Sequence, residues 1–308
     1  MASNAAVGHA LTAGRLRRKR FLRENVFPYL LLLPALAMNV LVVLIPGVSA
    51  IYFAFTEWSG LGPANWIGVA NFQRMLRDPE MILAFTNNVR WLGLTMTVPV
   101  SLALLVATLI VSVPRGQKLL RTLFFLPVVL ATVVVAQMFR NLYNPFRGIA
   151  PWLGDLGLGF ANVDFLGNPA IALYAVFLAS LWHGWGFQLV IYLAALQGVD
   201  AHLYEAARVD GANRWQQFLH ISLPGIRPTL LFMLMISAIG SFLVFDFIYL
   251  MTQGGPGYAS QVLAYKLFKE AWQTFQAGYA AAIGLTVSLF CGVFVLIFIT
   301  LRRRGWEI

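Results

Sequence analysis

Six stretches of this chain are apolar over lengths suited to a lipid bilayer. They run approximately over residues 29–55, 91–113, 122–139, 169–197, 228–251 and 277–301, and five of them contain no Asp, Glu, Lys or Arg. Asp246, in the fifth, is the exception. Crossing a hydrocarbon core takes roughly 20 helical residues. A backbone in lipid must also satisfy its own hydrogen bonds, so each stretch is predicted to be a spanning helix. Composition agrees, because only 11% of the residues are charged and the mean hydropathy is +0.74, whereas a soluble domain carries about 25% charge. The expected fold class is all-α, a bundle of six transmembrane helices with no strand pattern and no internal repeat. Residues 1–27 read as a basic tail and 28–308 as one membrane domain. Pro34 and Pro46 are expected to interrupt the first helix.

Basic residues collect on the cytoplasmic side of membrane proteins. With the N-terminus inside, fifteen Lys and Arg fall in inner segments and five in outer ones, leaving Arg90 and Arg140 at span ends. Both termini and the segment 197–228 are therefore expected in the cytoplasm, and the chain in the cell's inner membrane. The net charge of +10 is accounted for by topology and anionic lipid rather than nucleic acid. The basic cluster ahead of the first apolar stretch resembles a secretion signal, with Val48-Ser49-Ala50 as a possible cleavage site. The apolar run is about twice as long as a signal core, which favours an uncleaved first helix. Cys291 is the one cysteine, so no disulfide or cysteine metal site can form within the chain. It reads as a small packing residue. The outer segment 56–81 carries Trp58, Trp66 and Phe72, consistent with an interfacial aromatic belt.

The segment 197–228 is the one organised polar island, with three arginines and three acids. Asp200 is placed to cap a short helix over Ala201–Val209. Asp210-Gly211 signals a turn. Asn213 can cap a second helix through about His220, which Leu223-Pro224 and Pro228 end. Leu203, Ala206 and Ala207 fall on one face of the first helix, and Trp215, Phe218 and Leu219 on one face of the second. Such an elbow fits either a partner groove or the lipid interface, and spacing alone leaves both open.

The order Glu205-Ala206-Ala207-x-x-Asp210-Gly211-Ala212, followed by Phe218, Ile221-x-Leu223-Pro224 and Pro228, resembles the EAA signature of binding-protein-dependent ABC importer permeases. The likeness extends from Tyr29 to Leu301. Trp66-x-Gly68-x-x-Asn71-Phe72 resembles the family's first outer loop, and Leu120-Arg121-Thr122-x-Phe124-Phe125-Leu126-Pro127 the start of its third span. Met251-Thr252-x-Gly254-Gly255-Pro256 is similar to the mark after the fifth span in carbohydrate-importing members, the type of the first maltose and first glycerol-phosphate permeases. Two departures are small: Gly148-Ile149-Ala150-Pro151 lacks an Asn often found there, and Asp200 replaces a Pro.

The resemblance implies a coupling role for Glu205, Ala206, Ala207, Asp210, Gly211 and Ala212, seated in a groove of a cytoplasmic ATPase. A carboxylate on an exposed helix can bond basic partner groups, Gly permits the turn, and small alanines allow close packing. It also implies that Leu181, His183, Gly184, Phe187, Gly240, Ser241 and Val244 line the substrate path. Asp246 is added because an acid in a span usually faces water or the bundle interior. Aromatic faces stack on sugar rings while polar groups bond hydroxyls. The fourth span also offers Trp182, Trp185 and Gln188. His183 and Ser241 can alternatively serve helix packing, and Asp246 can pair with Arg90 or Arg140.

The partners implied are a second permease in a heterodimer, two ATPase subunits, an extracytoplasmic solute-binding protein and membrane lipid. The chain has no GxxxxGK[ST] phosphate loop, so ATP and Mg are expected on the ATPase subunits, with no cofactor, metal or catalytic residue here. The competing class is an ion- or proton-coupled secondary transporter, which predicts inverted repeats and mid-membrane acids; only Asp246 is available. A membrane enzyme would need paired carboxylates, a metal-ligand cluster or a nucleophile, and none is evident. The solute is expected to be a sugar; a polyol, glycerol phosphate or anionic sugar is the alternative within the same machinery.

Overall fold

The computed structural model of the protein describes residues 27–113, 115–157 and 163–303. The basic tail, including Arg15 to Arg23, and Arg304 lie outside the described residues. The chain divides into two compact units, Met1–Phe53 and Ala54–Ile308. In the first, helix α1 (Phe27–Asn39) passes through a π-helical turn, Val40–Leu44, into α2 (Ile45–Ala54). Pro46 has no amide hydrogen for the preceding turn, and the wider turn before it accommodates the loss.

The second unit opens with a two-stranded antiparallel ribbon, β1 (Thr56–Glu57) and β2 (Asn65–Trp66), with Thr56 opposite Trp66. This corrects the expectation of no strands, since two residues per strand are too few to show an alternating pattern. A short helix, α3 (Ala70–Met75), then leads to α4 (Pro79–Val111). The α4 helix begins twelve residues before the expected start at Trp91. Asp78 caps it by accepting from the amides of Glu80, at 2.9 Å, and Met81, and Pro79 fits the first turn. The polar residues Glu80, Asn87, Asn88 and Arg90 had masked this added length.

The third span departs most from expectation. It is not one helix over 122–139 but two, α5 (Gln117–Val129) and α6 (Thr132–Leu142), bent by 91°. Pro127 lies just before the bend, and Leu130 and Ala131 are extended. After α7 (Ile149–Asp155), the fourth span is α8 (Ala172–Gln197). The polar elbow holds α9 (Ala201–Val209), α10 (Arg214–Gln217), a π-helical turn (Phe218–Ser222) and α11 (Leu223–Gly225). The fifth span is also interrupted, between α12 (Arg227–Leu243) and α13 (Asp246–Met251), at an extended Val244. The amphipathic α14 (Leu263–Trp272) and the final span α15 (Ala277–Leu301) complete the unit.

Among the described residues five helical segments, counting the interrupted fifth span as one, are long and apolar enough to cross a membrane, and the bent α5–α6 pair makes six if it is one span. Within the second unit α8 packs along α4 and α5. A Cβ at Gly186 would collide with the Phe124 carbonyl oxygen of α5, so only glycine allows that approach. Around α8 the core holds Trp91 and Phe177, edge to face at 5.3 Å, with Val135, Val176 and Ile248 fully or nearly fully buried. Cys291 packs beside a second core that includes Phe242 and Ile283, in keeping with a packing role.

Candidate functional site

The elbow forms as its residues predict. Asp200 accepts from the His202 amide at 2.9 Å. Asn213 and Gln216 complete a reciprocal capping box at 2.9 and 2.8 Å. The difference is at the end, where the second helix widens after α10 into a π turn rather than continuing evenly to His220. Gly211 has φ +81°, a left-handed conformation that favours glycine. The Ala212 amide closes the turn on the Ala207 carbonyl at 2.8 Å. At the base, Tyr204 and Ser222 hydroxyls meet at 2.9 Å and tie the two arms.

This tied base presents a face that meets no partner among the described residues. Glu205, Ala206, Asp210 and Gly211 are exposed, and Ala207 and Ala212 are half-buried. Beside them Val209 is 88% and Trp215 66% exposed, and Trp215 stacks on Phe218 at 5.5 Å. Among the described residues the Glu205 carboxylate is met by His202 alone, at 3.5 Å with both side chains largely in solvent. The outer face of the elbow thus carries a carboxylate, small residues and an exposed tryptophan across its two arms.

The second candidate region lies where two spans break. A break leaves carbonyls without the amide that would have met them, and inside a membrane each must find another donor. His183 Nε2 on α8 lies 3.0 Å from the Leu130 carbonyl at the α5–α6 bend, so it donates there. The ring also meets Phe247 of α13 edge-on at 5.7 Å. Asn88 Nδ2 on α4 donates to the Ser241 carbonyl at 2.7 Å, just before the α12–α13 break. Asn88 Oδ1 accepts from the Leu263 amide at 2.7 Å, and its neighbour Asn87 holds the Ala259 and Gln261 carbonyls at 2.9 Å each. The asparagines thus pin the Gly-Gly-Pro loop to the second span. Sequence reasoning missed both, because starting the span at Trp91 left them outside it; two asparagines inside an apolar helix would have been the signal.

The predicted path residues separate into two groups around these breaks. Gly184 and Gly240 are exposed, with open space where a side chain would stand, and Phe187 is 44% exposed. Asp246 is exposed at the start of α13. It forms no ion pair among the described residues, and Arg90 and Arg140 instead bond Asn87 Oδ1 and the Leu250 carbonyl. Leu181 and Val244 are half-buried against the core, and His183 serves the bend. Ser241 fits the packing alternative: it is 1% exposed, and its hydroxyl donates to the Ala238 carbonyl at 2.6 Å. It packs against α4 because its neighbouring break is closed from that side. Gln188 bridges α8 to α12 through Ser237 at 3.1 Å.

A third cluster joins the starts of α4, α14 and α15. Lys266, 3% exposed, lies 3.1 Å from Asp78, 2.9 Å from Glu80 and 2.8 Å from Glu270. Lys269 meets Glu80 at 2.9 Å, and Tyr279 donates to Asp78 at 3.0 Å. Burial pushes the Asp78 carboxyl up, but bonds from Lys266 and Tyr279 outweigh it and hold the group below its ordinary value of 3.8. Burial likewise pulls Lys266 down, and bonds to Glu270, Glu80 and Asp78 outweigh it, raising the ammonium above 10.5. Among the described residues no group of three His, Cys, Asp or Glu is arranged to hold a metal.

Comparison with known proteins gives the class of protein to which this helical bundle, with its two interrupted spans and exposed elbow, belongs. Residues 100–304 match the family described as binding-protein-dependent transport system inner membrane component, and the chain belongs to it. It is 35% identical to the probable ABC transporter permease protein YurN of Bacillus subtilis, over 86% of this chain and 92% of that one. It is 32% identical to the diacetylchitobiose uptake system permease protein NgcF of Streptomyces coelicolor, over 96% and 88% of the two chains. Among solved structures it matches a chain of a bacterial ABC transporter involved in the import of the acidic polysaccharide alginate. That match has a TM-score of 0.83 and 26% identity, covering 94% of this chain and 100% of that one. The chain is thus a permease of an ABC importer, and the secondary-transporter alternative falls.

Proposed function

We propose that this chain forms one half of the translocation path for a sugar or sugar-like solute and couples to an ATPase through residues 197–228. The observation that carries the proposal is the elbow: Glu205, Ala206, Ala207, Asp210, Gly211 and Ala212 stand together on a capped, rigid, uncovered surface. Both termini and this elbow lie in the cytoplasm on this reading, as the distribution of Lys and Arg supports. A second, different permease supplies the other half of the path. Two ATPase subunits carry ATP and Mg, and an extracytoplasmic solute-binding protein delivers the solute. This chain itself contributes no catalytic group.

The solute class is supported by the named relatives, which import diacetylchitobiose and alginate. On this chain Gly184, Phe187, Gly240 and Asp246 supply an open, partly aromatic and partly polar wall beside the two breaks. Ring faces stack on Phe187 while hydroxyls meet polar groups. Leu181 and Val244 back that wall and His183 fixes the bend beneath it. Movement of the elbow, driven by ATPase closure, is transmitted through α8 and α12 to the interrupted segments. Asp246, the single acid of the wall, disfavours an anionic solute unless the second permease offsets it. The test is uptake of labelled neutral oligosaccharides, polyols and uronate oligosaccharides into vesicles containing the complete complex. Saturable uptake of one class that needs the receptor and ATP supports the reading, and absence of uptake for all of them contradicts the sugar assignment.

A further inference from the structure

We propose that the polar recess joining the starts of α4 and α15 to α14 is a docking socket for the solute-binding protein, taking an acidic side chain of that protein at Arg77. The inference rests on the importer reading above and goes beyond it by naming the surface. The recess encloses about 520 Å³, and every residue lining it is charged or polar. Four of them are cations, Arg74, Arg77, Lys266 and Lys269, against three carboxylates, Asp78, Glu80 and Glu270. The carboxylates are consumed within the recess, since Lys266 meets all three and Lys269 meets Glu80. Arg74 is engaged as well, its guanidinium 4.1 Å from the Tyr279 ring centre and bonded to Gln276. Arg77 remains. Its side chain is exposed and forms no hydrogen bond or ion pair among the described residues. The charge left over is thus one guanidinium on the wall of the recess, and its planar fork matches a carboxylate.

Three observations point to protein as the source of that carboxylate. The first is position. The α12 helix leaves the elbow at Arg227, and near its other end the Ser241 carbonyl accepts from Asn88 of α4 at 2.7 Å. The start of α4, and the recess with it, therefore lies at the end of the bundle away from the elbow. The second is the rim. Trp272 is 69% and Phe275 61% exposed, and Phe275 stands between the lining residues Thr274 and Gln276. The turn that carries them is pinned to the ionic cluster. The Thr274 amide donates to the Lys269 carbonyl at 3.0 Å, the Thr274 hydroxyl to Glu270 Oε2 at 2.6 Å, and the Gln276 amide to the Glu270 carbonyl at 2.7 Å. Phe275 is held at φ +53°, a costly conformation for a bulky residue, with its ring uncovered. An arginine beside fixed, exposed aromatic rings has the composition of an interface anchor, whereas an acyl chain would find only charged and polar walls in the recess. The third is the family, whose transport depends on a binding protein; with the ATPase at the elbow, the far end is where that protein lands.

The test uses the complete complex in nanodiscs with its own purified solute-binding protein. Trp272 is replaced by benzoylphenylalanine, and photoadducts are identified by mass spectrometry. In parallel, the fluorescently labelled solute-binding protein is titrated onto wild type and Arg77→Gln. The proposal expects adducts between the replaced Trp272 and the solute-binding protein, and a Kd about tenfold higher in Arg77→Gln. It also expects the wild-type Kd to rise more steeply with salt than that of the variant. Adducts confined to lipid or to the second permease overturn the inference, as does a Kd for Arg77→Gln equal to that of wild type. A wild-type complex that binds the solute-binding protein at no concentration contradicts the importer's partner assignment itself, and this inference with it. If Arg77→Gln fails to assemble, the Trp272 adducts and the salt dependence of wild-type binding decide.

Discussion

Lys266 is nearly fully buried and faces three carboxylates, so its worth lies in what remains if it is removed. Taking one partner from a buried ionic cluster leaves uncompensated charge, at a cost of roughly 3–5 kcal/mol. Lys266→Met is therefore expected to lower the melting temperature of the purified complex sharply, even though the side chains have similar volume. The pH dependence gives a second reading. Asp78 is held below 3.8 in the fold, so its contribution is present above that value and is lost as pH falls through the depressed pKa. Lys266 is raised above 10.5, so its contribution is present below that value and is lost as pH rises through the raised pKa. Stability of the wild type should hence be flat in these groups between about pH 5 and 9. In Lys266→Met the clustered acids repel, and stability should rise as pH is lowered from 8 to 5. A variant as flat as the wild type, measured by thermal melts across that range, would show that the cluster contributes nothing.

The two broken spans are held by side chains from other helices. The Leu130 carbonyl has His183 and the Ser241 carbonyl has Asn88. Leaving a buried acceptor unmet costs about 1–3 kcal/mol. Asn88→Leu should destabilise by that amount in denaturant or thermal unfolding and free the Gly-Gly-Pro loop to limited proteolysis, whereas His183→Phe, whose bond to Leu130 is exposed, should cost less. Equal melts and unchanged cleavage would remove the clamp interpretation. These same elements explain what sequence could and could not reveal. The helix Ala201–Val209 was legible to the residue because Asp200, Asp210-Gly211 and Asn213 are local signals. The final span was legible from its uninterrupted apolar run. The break at Val244 was not, because no proline marks it and its support comes from Asn88, 153 residues away from Ser241. The 91° bend after Pro127 was hidden within a continuous apolar stretch. Lys266 gave no sign of burial, since its partner Glu80 lies 186 residues away. Within the candidate site, the open positions Gly184, Phe187 and Gly240 came from the family resemblance, while the packing of Ser241 needed the structure.

At the scale of the whole molecule, the proposed function makes an exposed elbow, two interrupted spans and a set of open positions beside them a transmission from the ATPase side to the solute path. The elbow can act as a lever because its arms are capped and tied at the base, so a push on α9 is not absorbed locally. Its weakest point is Gly211, where a β-branched residue would be forced into a left-handed conformation costing about 1–2 kcal/mol. Glu205 is exposed and among the described residues meets His202 alone, so its loss should leave the fold untouched. The decisive measurement is ATP hydrolysis by the complete reconstituted complex, with and without liganded solute-binding protein, in wild type, Glu205→Ala and Gly211→Val. Assembly of each complex is checked by size and subunit ratio. Stimulation by the liganded receptor in wild type, lost in both variants while assembly persists, is the predicted result. Variants that assemble and are stimulated as strongly as wild type would contradict the coupling role of the elbow.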